Sequence, residues 1–391
     1  MKISQIRAHH VAVDRIYNTR VAPAGGHGEG KEKSDYLLYT LITEDGLTGI
    51  GEISDIENDW VTVSAEQLEE WFGDFLIGAD LKDRAELTDR LKGSFPSEMK
   101  REQRMMLSSS LEMALLDLEG RRKEKPVCEL LGGRVRDSVN VSWVIYIRSS
   151  EQMEDEVKDK IAEGFTAFKM KVGEDIDEDL QRVNAFREIA GADAYLKLDA
   201  SGEWEELEAI ENVRQLAELG ADAIETPIRQ VSRNVAKHEA ETVNRSPDAA
   251  AQALGRVRAA VPIPVIEHVA DFADDFAQSL IQHRSVDVFN IIPCQAGGLV
   301  RAGHLAQIAE SAGIASLIGS TIELGPGTAA AIHLAAASES VTIASDLVGP
   351  GLLEGDVVKS PFQYTNGRIH VPHGAGLGIE LDPDKLERWS V

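Results

Sequence analysis

Two lysines stand two residues apart in the run Phe168-Lys169-Met170-Lys171-Val172-Gly173. Strand residues i and i+2 share a face, so Lys169 and Lys171 project the same way. Paired ammonium groups on one buried face repel each other, and desolvation adds to the effect, so each is expected to have a lowered pKa. A lysine tuned in this way serves as a base near neutral pH. Alone, a Lys-x-Lys pair is more often a solvated strand edge. Three acids downstream weigh against that reading. Asp199 ends the apolar run Tyr195-Leu196-Lys197-Leu198, Glu225 ends Ala221-Asp222-Ala223-Ile224, and Glu267 ends Pro262-Ile263-Pro264-Val265-Ile266. Taken singly, each reads as a helix N-terminal acid beside the dipole. Taken together, three carboxylates at successive strand ends make an oxygen-rich cluster suited to a hard divalent ion, Mg²⁺ first and Mn²⁺ as the alternative, with room for substrate oxygens.

These residues need strand ends that converge. From about residue 139 the chain alternates strand and helix patterns, with strand starts near Val139, Thr166, Tyr195, Ala221, Ile263, Val286, Ile314 and Val341. Amphipathic stretches at 177–190, 206–219 and 299–312 end near Gly191, Gly220 and Gly313. The pattern is α/β and reads as a (β/α)8-type barrel, whose active sites lie at the C-terminal rim of the strands. The step from Ala221 to Ile263 is long, and its polar excess at 232–246 reads as an inserted surface segment.

Ahead of the barrel, Tyr36-Leu37-Leu38-Tyr39-Thr40-Leu41-Ile42-Thr43 is strand-like, Glu44-Asp45-Gly46 is a hairpin turn, and 47–52 is the return strand. Gly49 and Gly51 mark a bulge or a close approach there. Residues 64–125 read as helical, and the β-then-α block as an α+β capping domain. The expected division is 1–128 for the capping domain, 139–350 for the barrel and 351–391 for the tail.

The order Lys-x-Lys, Asp, Glu, Glu, then Gln295-Ala296-Gly297-Gly298, then Gly319-Ser320-Thr321-Ile322-Glu323, resembles the enolase superfamily, in its mandelate racemase and muconate cycloisomerase branch. The fragments Lys197-Leu198-Asp199-Ala200-Ser201-Gly202, Ile224-Glu225-Thr226-Pro227 and Gly374-Ala375-Gly376-Leu377-Gly378 are similar to phrases of that branch. The resemblance spans nearly the whole chain. It implies a modified TIM barrel whose capping domain is completed by the C-terminal tail. It also implies removal of the proton α to a carboxylate, with a metal-held carboxylate stabilising the enediolate. Lys171 would be the base and Lys169 its neighbour on the substrate carboxylate. Asp199, Glu225 and Glu267 would hold the metal. Glu323 would contact the substrate carboxylate, against the plainer reading of a helix N-cap. Arg20, His27 and Trp60, on or beside the loops that cover the barrel mouth, would contact substrate. A symmetric homo-oligomer is expected.

One departure matters. Relatives of the muconate branch carry a further lysine on strand six, three residues before the place of Gln295, and here that place is Ile292. The mandelate branch uses a strand-seven histidine, which Ile314-Ala315-Ser316-Leu317-Ile318-Gly319-Ser320 lacks. Racemisation needs an acid or base on each face, whereas a single lysine can run a syn elimination or a cycloisomerisation. A dehydratase or cycloisomerase is therefore expected over a racemase. His268 and Cys294 could stand in for the missing base, but neither fits the family pattern, and His268 beside Glu267 reads as a supporting histidine. A catalytically weakened binding protein on the same fold is the competing reading. Ile292 favours it, and the intact lysine pair and acids oppose it.

Composition narrows the partners. The net charge is −26, which argues against nucleic acid and against an anionic membrane. A small carboxylate would have to find local positive charge, which the lysines and metal supply. Cys128 and Cys294 are the only cysteines, and neither metal spacing nor a disulfide framework is present. The N-terminal residues lack the apolar core of a signal peptide, and no apolar run nears membrane-spanning length, so a cytoplasmic enzyme is expected.

Overall fold

The computed structural model of the chain describes residues 2–25, 28–54, 63–80, 82, 84–229, 246–270 and 275–391. His27, Trp60 and all of the 232–246 segment but Ser246 lie outside the described residues.

Three strands, β1 (Ile3–Thr19), β2 (Lys31–Thr43) and β3 (Thr48–Ser54), form an antiparallel meander. Its aromatic and aliphatic run from Tyr36 to Leu41 is buried except for Thr40. The β2–β3 register passes from Tyr36↔Ser54 to Ile42↔Thr48 without a shift, so Gly49 marks no bulge. It marks a close approach: a Cβ there would stand 2.3 Å from the Ala114 carbonyl oxygen of the helix Arg101–Lys123, which lies across the sheet. Inside that contact the buried Asp117 carboxylate accepts the N–H of Ile50 at 3.1 Å and of Leu377 at 2.8 Å, and pairs with Arg121 at 3.0 Å. One side chain thus ties the meander, the helix and the C-terminal tail, and the tail returns to the capping layer as expected.

Seven strands follow in one parallel sheet: β5 (Trp143–Ile145), β6 (Ala167–Lys171), β7 (Tyr195–Asp199), β8 (Ala223–Glu225), β9 (Val265–His268), β10 (Val288–Ile291) and β11 (Ala315–Ile318). The short β4 (Ser138–Asn140) instead pairs antiparallel with β13 (Arg368–His370), which pairs with β12 (Tyr364–Thr365). The helices Ile176–Ala190, Glu206–Glu218 and Leu299–Ala312 match the three expected stretches to within a residue. The eighth strand, expected from Val341, is not a regular strand. Residues 341–346 hold its place through single parallel bridges, Ser316↔Val341 on one side and Val141↔Ser345 on the other, and Asp346 N–H reaches the Ile318 carbonyl at 2.9 Å. The ring closes through this segment as a TIM-type barrel. No helix among the described residues is long and apolar enough to cross a membrane.

The helix Gly325–Ala336 opens on Gly325-Pro326-Gly327 behind Leu324, which has no side chain to cap it. The orphan N–H groups of a helix start need acceptors. Glu52, at the end of β3, supplies them across the molecule, accepting from Leu324 at 3.0 Å and Gly327 at 2.7 Å. Asp356 takes Gly325 N–H at 3.0 Å. Burial pushes the Glu52 carboxyl up from 4.5 to about 8, and the neighbouring Glu323 carboxylate adds to this. A raised carboxyl pKa costs stability as pH climbs from the unfolded value to the folded one, here from 4.5 to about 8. Glu52→Gln keeps an acceptor for the helix and cannot ionise. With one acceptor oxygen for two N–H groups it should start below the parent at pH 5, by about 1–3 kcal/mol, and gain on it steadily towards pH 8 in chemical denaturation; a parallel pair of stability curves would refute the assignment.

Candidate active site

Alternation along the strands sorts their side chains into two sets. Ala223, Ile266, Val288 and Leu317 form a small apolar layer inside the barrel, and Tyr195 packs against it. Val265 and Phe289 belong instead to the outer core beneath the helices. Two residues further along the inner face stand Glu225, His268, Asn290 and Gly319. On β6 and β7 the inner face carries Lys169 and Lys171, and Lys197 and Asp199. The ladder sets Lys171 beside Asp199, and Asp199 beside Glu225.

The resulting cluster is dense with opposite charges. Lys169 Nζ lies 2.8 Å from Glu225 Oε1, 3.0 Å from Asp199 Oδ2 and 3.0 Å from Asp346 Oδ2. Lys171 Nζ lies 2.6 Å from Asp199 Oδ2. Lys197 Nζ meets the other Asp346 oxygen at 2.7 Å and donates to the Ala344 carbonyl at 3.0 Å. Burial works against charge on Lys169, but Asp199, Asp346 and Glu225 outweigh it and hold this ammonium well above the ordinary lysine range. The expected lowering is therefore corrected for Lys169: three carboxylates within hydrogen-bond reach matter more than one lysine two residues away. Lys197, buried with Asp346 as its ion-pair partner, is pushed down by burial. Burial opposes charge on Asp199 too, yet Lys169 and Lys171 keep it well below the carboxylate range. Glu225 is brought to about 2, chiefly by Lys169 against the cost of burial.

Sequence reasoning missed Asp346, Lys197 and Asn290. Signals for two of them were present. Lys197 stands two residues before Asp199, as Lys169 does before Lys171, and Asp346 ends the eighth run as the other acids end theirs. Asn290 donates to Glu225 Oε1 at 2.9 Å.

The structure does not bring the three expected metal acids together. Asp199 and Glu225 converge. Glu267 takes the opposite parity on β9, beside Phe289 in the ladder, and its carboxylate accepts from the Thr226 hydroxyl at 2.8 Å and its neighbour's N–H at 3.0 Å. His268 takes the inner place, with Nε2 at 2.9 Å from Glu225 Oε1. Among the described residues no group of three or more His, Cys, Asp and Glu side chains is arranged to hold a metal ion. Asp199 and Glu225 nonetheless fit one as a pair. Glu225 Oε1 faces three donors, Lys169, His268 and Asn290, while its buried Oε2 has no hydrogen-bond partner. A buried carboxylate oxygen left bare is the position a cation would complete.

Glu323 is not an N-cap. Its carboxylate is taken up by its own loop, by the Ser320 hydroxyl and by Thr321 N–H at 2.9 Å and Oγ1 at 3.0 Å. Arg20 pairs with Glu174. Cys294 Sγ stands 3.7 Å from Thr321 Oγ1.

Ile292 follows β10 on the inner face and is buried. In the closed ring β10 stands four places from β6, which puts Ile292 across the barrel from Lys171. Gly319 makes room for this wall: a Cβ there would fall 2.3 Å from Asn290 Oδ1 and 2.6 Å from Ile292 Cγ1. Gly319→Ala is expected to cost about 1–3 kcal/mol through overpacking, and to loosen the Asn290–Glu225 contact. An unchanged denaturation midpoint would show that the strand gives way freely.

Comparison with known proteins gives a consistent set of relatives. The family model described as "Enolase C-terminal domain-like" matches residues 152–385. The mandelate racemase / muconate lactonizing enzyme N-terminal domain model matches 16–132. Muconate cycloisomerase 1 of Acinetobacter baylyi is 30% identical over 362 residues, covering 90% of this chain and 91% of its own. Among solved structures, the muconate lactonizing enzyme of Pseudomonas fluorescens complexed with muconolactone superposes with a TM-score of 0.85 at 27% identity, covering 100% of this chain and 99% of its own. The L-Ala-D/L-Glu epimerase of Bacillus subtilis gives 0.81 at 25% identity, covering 97% of this chain and 99% of its own.

Proposed function

Because this chain belongs to the mandelate racemase / muconate lactonizing enzyme family of the enolase superfamily, we propose that it interconverts small carboxylic acids by one proton transfer at the carbon α to a carboxylate, on one face only. A muconate-lactonizing-like cycloisomerisation is the favoured form, and a syn dehydration is the alternative that uses the same groups. The observation that carries this reading is the pairing of Lys171 on one side of the barrel with Ile292 on the other.

In a cycloisomerisation, one carboxylate of an unsaturated diacid adds across its double bond. The carbon α to the second carboxylate then gains a proton from the Lys171 ammonium, and the reverse reaction returns it. In a dehydration, Lys171 removes the α proton and passes it to the hydroxyl that leaves from the neighbouring carbon. Lys169, held charged by its carboxylates, places a fixed positive charge beside the substrate carboxylate. Asp199 fixes Lys171 in place at 2.6 Å. Glu323 holds the 320–323 loop in shape beside the site. Asp199 and Glu225 would hold a divalent cation, which when bound would supply positive charge for the substrate carboxylate oxygens, and the resemblance implies Mg²⁺ for this part. Ile292 offers no group for a proton on the far face.

The test is proton NMR in D₂O with a divalent salt and a panel of unsaturated and hydroxylated acids, muconate among them. One deuterium entering at the α carbon with a single configuration is the expected result. Scrambled configuration at that carbon would sink the one-faced reading. Metal-dependent binding of an acid with no exchange would support a binding protein instead.

A further inference from the structure

We propose that Asp179 and Arg182, on the first two turns of the helix Ile176–Ala190, are positioning residues for Lys171: together they clamp the backbone of the strand end that carries it. The inference rests on the reading above that Lys171 transfers the proton. Lys171 is the last residue of β6. Its pairing with Asp199 is the last rung of the β6–β7 ladder, and Val172 N–H reaches the Asp199 carbonyl at 2.9 Å. The chain then reverses at Gly173, whose φ of 115° is open to glycine and strains other residues. A Cβ there would also meet Glu203 Cβ at 3.1 Å and the Ala200 carbonyl oxygen at 3.2 Å. The helix grips this turn from behind. Arg182 Nη2 donates to the Lys171 carbonyl at 2.7 Å, and Asp179 Oδ2 accepts the Gly173 N–H at 2.7 Å. Arg182 and Asp179 pair with each other, three residues apart on one face of the helix.

Both side chains are buried. A buried ion pair is a weak source of stability, since apolar side chains of the same volume often do as well. This pair is not even complete in itself: Arg182 Nη1 is buried with no hydrogen-bond partner. Its two backbone contacts fall instead on Lys171 and on the residue two beyond it, and the charge on each side chain makes those bonds stronger than neutral ones. Lys171 Nζ stands at the end of a four-carbon stem, so a small tilt of the Lys171 peptide is magnified at the reacting nitrogen. Asp199 steadies the ammonium at 2.6 Å but gives no hold on the direction in which the stem leaves the backbone. The clamp supplies that hold. A displacement of about 1 Å at a reacting group costs roughly 10²-fold in rate.

Arg182→Lys keeps a positive charge beside Asp179 but loses the planar fork and is shorter, so it cannot hold both partners. Hydrogen exchange of the purified full chain tests the clamp without reference to turnover. In Arg182→Lys the amides of Val172 and Gly173 should exchange about tenfold faster or more, while those in the middle of the helix stay protected. With an acid from the panel above, kcat should fall about 10–100-fold. KM should stay within about twofold of the parent's, and the melting temperature close to it. The double variant Asp179→Asn/Arg182→Gln removes both charges together and strands neither, and it should lose kcat in the same direction. A pair that served folding alone would lower the melting temperature and leave kcat per folded molecule at the parent's value. That result, or unchanged exchange at 172–173, would overturn the assignment, and with Lys171→Ala still inactive the proton-transfer reading would stand. α-Deuterium exchange that survives Lys171→Ala would overturn that reading, and the proposal with it.

Discussion

Lys171→Ala is expected to lower turnover by about 10²–10⁴-fold, the range that a positioned general base or acid contributes. Lys171 ends β6 with a partly exposed side chain, and its ammonium pairs with Asp199. Truncating it opens space at the rim of the site and leaves the interior packing alone. Asp199 keeps Lys169 at 3.0 Å, so no buried carboxylate is stranded. Melting temperature should therefore stay near the parent's while α-deuterium exchange in D₂O disappears. Exchange that persists in the variant would move the base elsewhere. A large drop in both activity and melting temperature would assign Lys171 a structural role. Lys171→Arg makes a sharper comparison, because it retains the charge beside Asp199 in a guanidinium that does not give up its proton.

Asp346→Asn is expected to produce the largest loss of stability. Its carboxylate lies between two buried ammonium groups, Lys169 at 3.0 Å and Lys197 at 2.7 Å. Removing one member of a buried ion pair costs about 3–5 kcal/mol, because the remaining charge is left without compensation. In a chain of this size that corresponds to a fall in Tm of roughly 4–6 °C. Lys197 carries most of the effect, since Lys169 retains Asp199 and Glu225. Burial already holds the Lys197 pKa below 10.5. A depressed lysine costs stability as pH falls below its unfolded value, because folding then opposes a charge that the unfolded chain accepts. Taking away Asp346 depresses it further. The deficit of the variant should therefore be greater at pH 7 than at pH 10, measured by urea denaturation at each pH. Lys197→Met in the same background should restore part of it. A deficit independent of pH and unrelieved by Lys197→Met would show that Asp346 acts through the backbone bridge at 345–346 instead.

Several features of the site were legible because they depend on local rules. Lys169 and Lys171 share a face by strand alternation alone, and Asp199 and Glu225 end apolar runs long enough to be recognised as buried strands. Gly191, Gly220 and Gly313 end their helices where a left-handed or extended residue is needed, so the repeat of strand and helix could be counted. The eighth strand could not be read correctly, since 341–346 has the composition of a strand but holds its neighbours through single bridges. Glu52 was invisible as a cap because its partners, Leu324 and Gly327, lie far along the chain. Only the absence of a capping side chain before Gly325 hinted that one must come from elsewhere.

The sequence alone determined which strands carry chemistry and in what order they meet, because apolar runs, turn glycines and charged strand ends are properties of neighbours in the chain. The tertiary structure decided which side chain at the end of β9 faces inward. Val265, Ile266 and Glu267 are all buried, so no pattern of apolar and polar positions sets the phase of that strand, and one residue of phase exchanges Glu267 for His268. It also decided the charge state of Lys169. A pKa answers to the carboxylates within a few ångströms, and those reach Lys169 from β7, β8 and the closing segment at Asp346, which only the closed barrel brings together.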